Sequence, residues 1–233
     1  MIIEIIVTTL DEAVLAEKYG ANRLELIDSL VHGGLSPDLK LTRLVCEAVT
    51  IPVNIMLRPH GKSFVYSKSD IRQIMSELDY IRDNTKANGV VFGALDHNGH
   101  IDTHLLEQII ANLGHLQLTF HRAIDASSDV IAAYKTLLKY PEVALVLTSG
   151  GTKTALDGIE TIKQMVEIRQ QSGKSYATIL AGSGITPDNA KFIIRATQVE
   201  QIHLGQGIRE NEVLTKTKFD HLIVAITEYY ETK

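Results

Sequence analysis

Cysteine is nearly missing. Cys46 stands alone among 233 residues, which excludes an intramolecular disulfide and any multi-thiolate metal site within one chain. It lies in Leu41-Thr42-Arg43-Leu44-Val45-Cys46-Glu47-Ala48-Val49, with no His or Lys beside it to lower its pKa, and reads as a small helix-packing residue. No window reaches the ~18 uninterrupted apolar residues of a membrane span. The opening run Met1-Ile2-Ile3-Glu4-Ile5 reads as a strand, without the basic segment and cleavage site of a signal peptide. The expectation is an unexported, cytoplasmic protein with no membrane partner. Basic clusters are absent as well: the formal charge is -5 with Lys and Arg scattered, so nucleic acid is not an expected partner. Metal-ligand spacings are also lacking. There is no His-x-Glu-x-x-His or paired-Cys pattern and the nine histidines are dispersed. No metal site is predicted, although a metal held by Glu and His from separate strands is left open. Without linkers, low-complexity tracts or short-period repeats, residues 1–233 read as one domain.

What is present is alternation. The apolar fraction of 45% is enough for a sizeable core. Eight short β-rich runs, at 2–7, 23–27, 53–57, 89–92, 117–120, 144–147, 178–181 and 201–204, alternate with amphipathic stretches at 10–19, 37–48, 68–86, 104–112, 130–139, 155–170, 187–195 and 218–229. This is the pattern of βα units around a parallel sheet. A central strand of an open doubly wound sheet is apolar on both faces, whereas several of these runs alternate. Leu24 and Leu26 oppose Arg23 and Glu25; Leu118 and Phe120 oppose Gln117, Thr119 and His121. Glu4, the pair Asn54 and Arg58, and the pair Gln201 and His203 repeat the pattern. In a closed barrel the outer face meets helices, so the polar set must point inward. The predicted fold is an α/β TIM (β/α)8 barrel.

The polar set divides into two levels. Glu4, Arg23, Asn54 and Gln117 fall early in their strands, where a structural network is as good a reading as a functional one. Glu25, Arg58, His121 and His203 fall at or near strand C-termini, where barrel enzymes assemble their sites. A carboxylate and an imidazole there can exchange protons with a substrate, and an arginine can clamp an anion. Asp125 is close enough in sequence to orient His121. Gly182-Ser183-Gly184 after the seventh run and Gly205 after the eighth are candidate anion seats, with Thr186 as N-cap and Pro187 at the first helical position. Lys153 reads as a solvated lysine, though a Schiff base is conceivable if it is desolvated. The chemistry implied is an acid/base isomerase or lyase acting on a small anionic or phosphorylated metabolite. A barrel retained as a binding or scaffold module is the other reading.

Six runs, Gly20-Ala21-Asn22-Arg23-Leu24-Glu25-Leu26, Gly33-Gly34-Leu35-Ser36-Pro37, Met56-Leu57-Arg58-Pro59, Gly89-Val90-Val91-Phe92-Gly93, Thr119-Phe120-His121-Arg122-Ala123 and Leu147-Thr148-Ser149-Gly150, together resemble the CutC family. The resemblance spans most of the chain, in order. It implies a TIM barrel, a cytoplasmic location, self-association into a homo-oligomer, and a role in copper homeostasis with copper ion as the bound metal; no other cofactor is indicated. Members used to argue for copper binding resemble Leu-Glu-Val-Cys-Val in the first strand and Glu-Leu-Cys in the second. The two thiol positions are Ile6 and Ile27 here, and by strand phase both face the interior. Cu(I) prefers thiolate or thioether ligands, which two isoleucines do not supply.

Overall fold

The structure is a computed structural model that describes residues 1–30 and 33–231. Eight parallel strands, β1 (Ile2–Val7), β2 (Arg23–Leu26), β3 (Val53–Met56), β4 (Gly89–Phe92), β5 (Gln117–Phe120), β6 (Val143–Thr148), β7 (Thr178–Gly182) and β8 (Gln201–Leu204), pair in sequence order. They close through Ile3 opposite Ile202 and Glu4 opposite His203. Helices α1 (Leu10–Tyr19), α2 (Leu39–Ala48), α3 (Lys68–Asn84), α4 (Thr103–Asn112), α5 (Val130–Leu137), α6 (Ile159–Ser172), α7 (Pro187–Thr197) and α8 (Lys216–Glu231) follow the strands in turn. This is the TIM barrel that the alternation predicts. Among the described residues no helix is long and apolar enough to cross a membrane.

Local chemistry sets the helix ends. Thr9, Asp38, Asp102 and Asp129 each accept a backbone N–H of the first turn, supplying an acceptor that the helix itself cannot. Ser67 with Asp70, and Thr186 with Asn189, add reciprocal capping boxes, and Pro187 takes the first position of α7. Gly20 ends α1 at φ 109°, in the left-handed region. The start of α6 departs from expectation. Residues 149–158 are turns rather than helix, and the Ala155 N–H bonds the Ser183 carbonyl.

The main core lies between sheet and helices. Ile3, Ile5, Leu24, Leu26, Ile55, Val90, Phe92, Leu118 and Phe120 all pack in it, so the apolar strand phase is the outer one. Two smaller apolar clusters fill part of the interior: Ile27, Met56 and Val91 with the half-buried Ile6 and Leu30, and Leu145, Leu147 and Leu180. The interior is thus apolar along β6 and β7, whereas along β8, β1, β2 and β3 a polar level of Glu4, Arg23, Glu25, Asn54 and His203 adjoins the apolar cluster of Ile6, Ile27 and Met56. That asymmetry positions the site.

Candidate functional site

The polar half is built around Glu4. Its carboxylate is fully buried and accepts from Arg23 Nε, from His203 Nδ1 at 2.8 Å and, at 3.5 Å, from Asn54 Nδ2. Arg23 also donates to Gln201 Oε1 at 2.8 Å, and Asn88 donates to Asn54 Oδ1 at 2.9 Å. Burial alone would raise the pKa of Glu4, but the Arg23 and His203 cations outweigh it and hold it at about 2. Gln117 departs from expectation: it is exposed at the first residue of β5.

His203 connects the two levels. With Nδ1 fixed on Glu4, its Nε2 faces Glu25 Oε2 at 3.7 Å. Burial would lower its pKa, yet the Glu25 and Glu4 carboxylates raise it. Glu25 itself is displaced the other way. Burial pushes its pKa up to about 7 against the pull of His203, and its Oε1 has no hydrogen-bond partner among the described residues. The ligand atoms of Glu4, Glu25 and His203 lie within 4.8 Å of one another, a grouping that sequence spacing did not show. Glu4 is nonetheless committed to Arg23 and His203, which leaves His203 Nε2 and Glu25 for a metal, short of the four ligands of a closed zinc site.

His121, just past β5, accepts the Ala123 N–H on Nδ1 at 3.1 Å, which puts its proton on Nε2; that atom is buried without a partner among the described residues. Burial and then the Arg58 cation drive its pKa down to about 3, so the ring is neutral. Arg58 donates to the carbonyls of Gly33 and Gly34 at 3.0 and 3.2 Å and lies 4.7 Å from the centre of the Phe64 ring. Phe64 also packs on His121, with ring centres 5.2 Å apart. Gly93 holds the imidazole from behind, because a Cβ there would come within 2.5 Å of His121 Nδ1. Gly93→Ala is therefore expected to cost about 1–3 kcal/mol by overpacking, read as a lower urea midpoint. An unchanged midpoint would mean that the ring moves aside freely.

One cavity of about 250 Å³ at the C-terminal ends of the strands is lined by Glu25, Arg58, His121, His203, Ser183, Gly184 and Gly205. Ile6 and Ile27, the two thiol positions, form part of its apolar wall, and it also brings in residues that the sequence did not single out: Phe64, Met56 and Arg122. Arg122 holds Asp125 at 2.8 Å, Ser149 Oγ at 2.9 Å and Ser183 Oγ at 3.1 Å. Its only sequence signal is its place beside His121. Two candidates lie elsewhere. Asp125 does not orient His121: the tight turn at Arg122–Ala126 carries it toward β6. There it accepts from Thr148 Oγ1, the Ser149 N–H and Oγ, the Gly151 N–H and Arg122. Gly182 ends β7, where a Cβ would meet Leu147 at 2.6 Å and His203 at 3.2 Å, so it serves packing. Lys153 does not line the cavity; its carbonyl accepts from Ser183 Oγ.

A family model described as the CutC family matches residues 1–208. The copper homeostasis protein cutC homolog of Mus musculus is 36% identical over 202 residues, 87% of this chain and 72% of that protein. The family protein CutC of Treponema denticola is 39% identical over 214 residues, 92% of this chain and 85% of that one. Among solved structures, the copper homeostasis protein CutC of Streptococcus agalactiae superposes with a TM-score of 0.80 at 27% identity, covering 90% of this chain and all of that one. A phosphoribosyl anthranilate isomerase from Thermococcus kodakaraensis reaches 0.64 at 15% identity over 97% and 98% of the two chains, a likeness of fold alone.

Proposed function

Because the chain belongs to the CutC family, we propose that it takes part in copper homeostasis, as the names of its mouse and human relatives record, and that its working part is the rim cavity, binding a small anionic metabolite. One observation carries the second half. Glu25 and His121 both line this cavity, and each carries a buried polar atom, Oε1 and Nε2, with no hydrogen-bond partner among the described residues; a buried polar group without a partner costs about 1–3 kcal/mol. A ligand that satisfies both recovers that cost. The charge favours an anion: Arg58 and Arg122 line the space together with His203, whose pKa its carboxylate neighbours raise, while burial pushes the pKa of Glu25 up to about 7.

Copper itself does not fit the barrel interior as Cu(I). Ile6 and Ile27 occupy the two thiol positions, Met56 offers a single thioether, and the cluster of Glu4, Glu25 and His203 offers only oxygen and nitrogen. Cys46 is buried on α2, in the core between sheet and helices, and burial pushes its thiol up to about 11. No step of the proposed chemistry runs through the metal. The reading places the protein in the cytoplasm as a homo-oligomer, with neither nucleic acid nor membrane as partner.

Inorganic phosphate is the direct probe. Calorimetry is expected to show phosphate binding that weakens about tenfold, or ~1.4 kcal/mol, in Arg58→Gln and in Arg122→Gln. Binding that is absent, or indifferent to both substitutions, would remove the anion site.

A further inference from the structure

The two unspent groups have opposite hydrogen-bonding sense. On the β2 side, Glu25 Oε1 can take a proton; on the β5 side, the Nε2–H of His121 can only give a hydrogen bond. We propose that the cavity enolises an α-hydroxy aldehyde or ketone bearing a carboxylate or phosphate, with Glu25 as the proton-transferring carboxylate and the His121 Nε2–H as the donor to the substrate carbonyl. The proposal rests on the reading of this cavity as a small-anion site.

Each role follows from the surroundings. Glu25 is faced by Glu4 from β1, Arg23 from its own strand and His203 from β8; between them and burial, its pKa stands at about 7, so base and conjugate acid are both populated at neutrality. His203 is a positioning residue. Pinned through Nδ1 to Glu4, it holds Nε2 toward Oε2 of Glu25, while Oε1 has no partner among the described residues. His121, faced by Arg58 and Arg122, stays neutral throughout the working range, so it polarises a carbonyl without delivering a proton to it in advance. The apolar wall of Ile6, Ile27, Met56 and Leu147 limits water around the developing charge. Ser183 Oγ, the hydroxyl among these lining groups, is engaged by Lys153 and Arg122, so covalent catalysis through it is disfavoured.

The step balances without a co-reactant. Ionised Glu25 takes the proton from the carbon that bears the hydroxyl, and the C–H electron pair becomes the C=C bond. The carbonyl π pair moves onto its oxygen, giving an enediolate held by His121 Nε2–H. The remaining hydroxyl proton crosses to that oxygen, and Glu25 returns its proton to the former carbonyl carbon. The product is the isomeric hydroxycarbonyl.

The test is solvent exchange. The protein is incubated in D2O with hydroxypyruvate, tartronate semialdehyde, dihydroxyacetone phosphate and glyceraldehyde 3-phosphate, and loss of the α-proton is followed by 1H NMR. Exchange in at least one compound is expected. It should rise with pH through about 7 and fall by roughly 10²–10⁴ in Glu25→Gln; the same variant, purified identically, controls for contaminating isomerases. Glu25→Asp, which keeps the charge but shortens its reach, should lose activity with an unchanged melting point. His121→Ala should lose roughly 10²–10³, and His121→Gln, which keeps an N–H, should retain much of the rate. Equal loss in the two His121 variants would overturn the donor role. No exchange with any compound, in protein that still binds phosphate, would overturn enolisation and leave the anion site standing; loss of both would remove the underlying reading too.

Discussion

Glu4→Gln is expected to lower the stability of the barrel by about 3–5 kcal/mol, the cost of removing one partner from a buried ion pair. For a chain of this length that is a fall in melting temperature of roughly 6–20 °C. The substitution is nearly isosteric, so the loss is electrostatic. Among the described residues Arg23 would keep its charge with only neutral amide oxygens, that of Gln201 and that of the new side chain, to accept from it, and His203 would lose the carboxylate that sets its Nδ1. Arg23→Gln on top of Glu4→Gln should recover part of the loss, because the stranded charge goes with it. The pH dependence supplies a second readout. Glu4 has its pKa depressed to about 2 in the folded chain, so its contribution is complete above the unfolded carboxyl value and is lost as pH falls through about 2. Glu25 works in the opposite direction: raised to about 7, its contribution is complete below the unfolded value and is lost as pH rises through about 7. Wild type should therefore lose stability at both flanks, whereas Glu4→Gln should lack the Glu4 contribution to the acid flank. A melting temperature within about 2 °C of wild type would mean that the network contributes little to folding.

Period-two alternation made the barrel readable because a polar residue inside a β wall needs a partner, and Glu4, Arg23, Glu25, Asn54 and His203 share one phase across four neighbouring strands. What alternation could not convey is depth and partner choice. Gln117 has the inward phase but begins its strand, and so is exposed. His203 and Glu4 meet across 199 residues of sequence, and nothing local states that Arg23 serves Glu4 while one oxygen of Glu25 is left over. Asp125 shows the converse, since four residues of separation from His121 mean little once a tight turn swings the carboxylate to β6. Phe64 was hidden for a different reason. It lies in the irregular segment between β3 and α3, which has no periodicity to betray its packing on Arg58 and His121. The rim glycines divide in the same way: Gly184 and Gly205 reach the cavity, while Gly182 is a spacer for Leu147 and His203.

Titrated with Cu(I) under reducing conditions, the wild-type protein is expected to bind no more tightly than Cys46→Ser, and Ile6→Cys with Ile27→Cys to bind at least about a thousandfold more tightly than either, or ~4 kcal/mol. The first half follows from burial and placement. The Cys46 thiol would have to ionise against a pKa of about 11 inside the outer core, whereas metal binding needs the thiolate. The second half follows from the fold, because Ile6 and Ile27 pack in one interior cluster and both line the cavity. Sulfur at both positions would present two soft ligands in a partly dry space, with the thioether of Met56 in the same cluster. Shortening the half-buried Ile6 and the fully buried Ile27 should cost about 2–4 kcal/mol of stability, so the melting temperature of the double variant is measured before the titration. Tight wild-type binding abolished by Cys46→Ser would locate a copper site on α2. Tight binding that survives that change would place the site on ligands other than Cys46. Weak binding in wild type with a gain in the double variant would mean that Ile6 and Ile27 are what deny this chain a Cu(I) site between its strands.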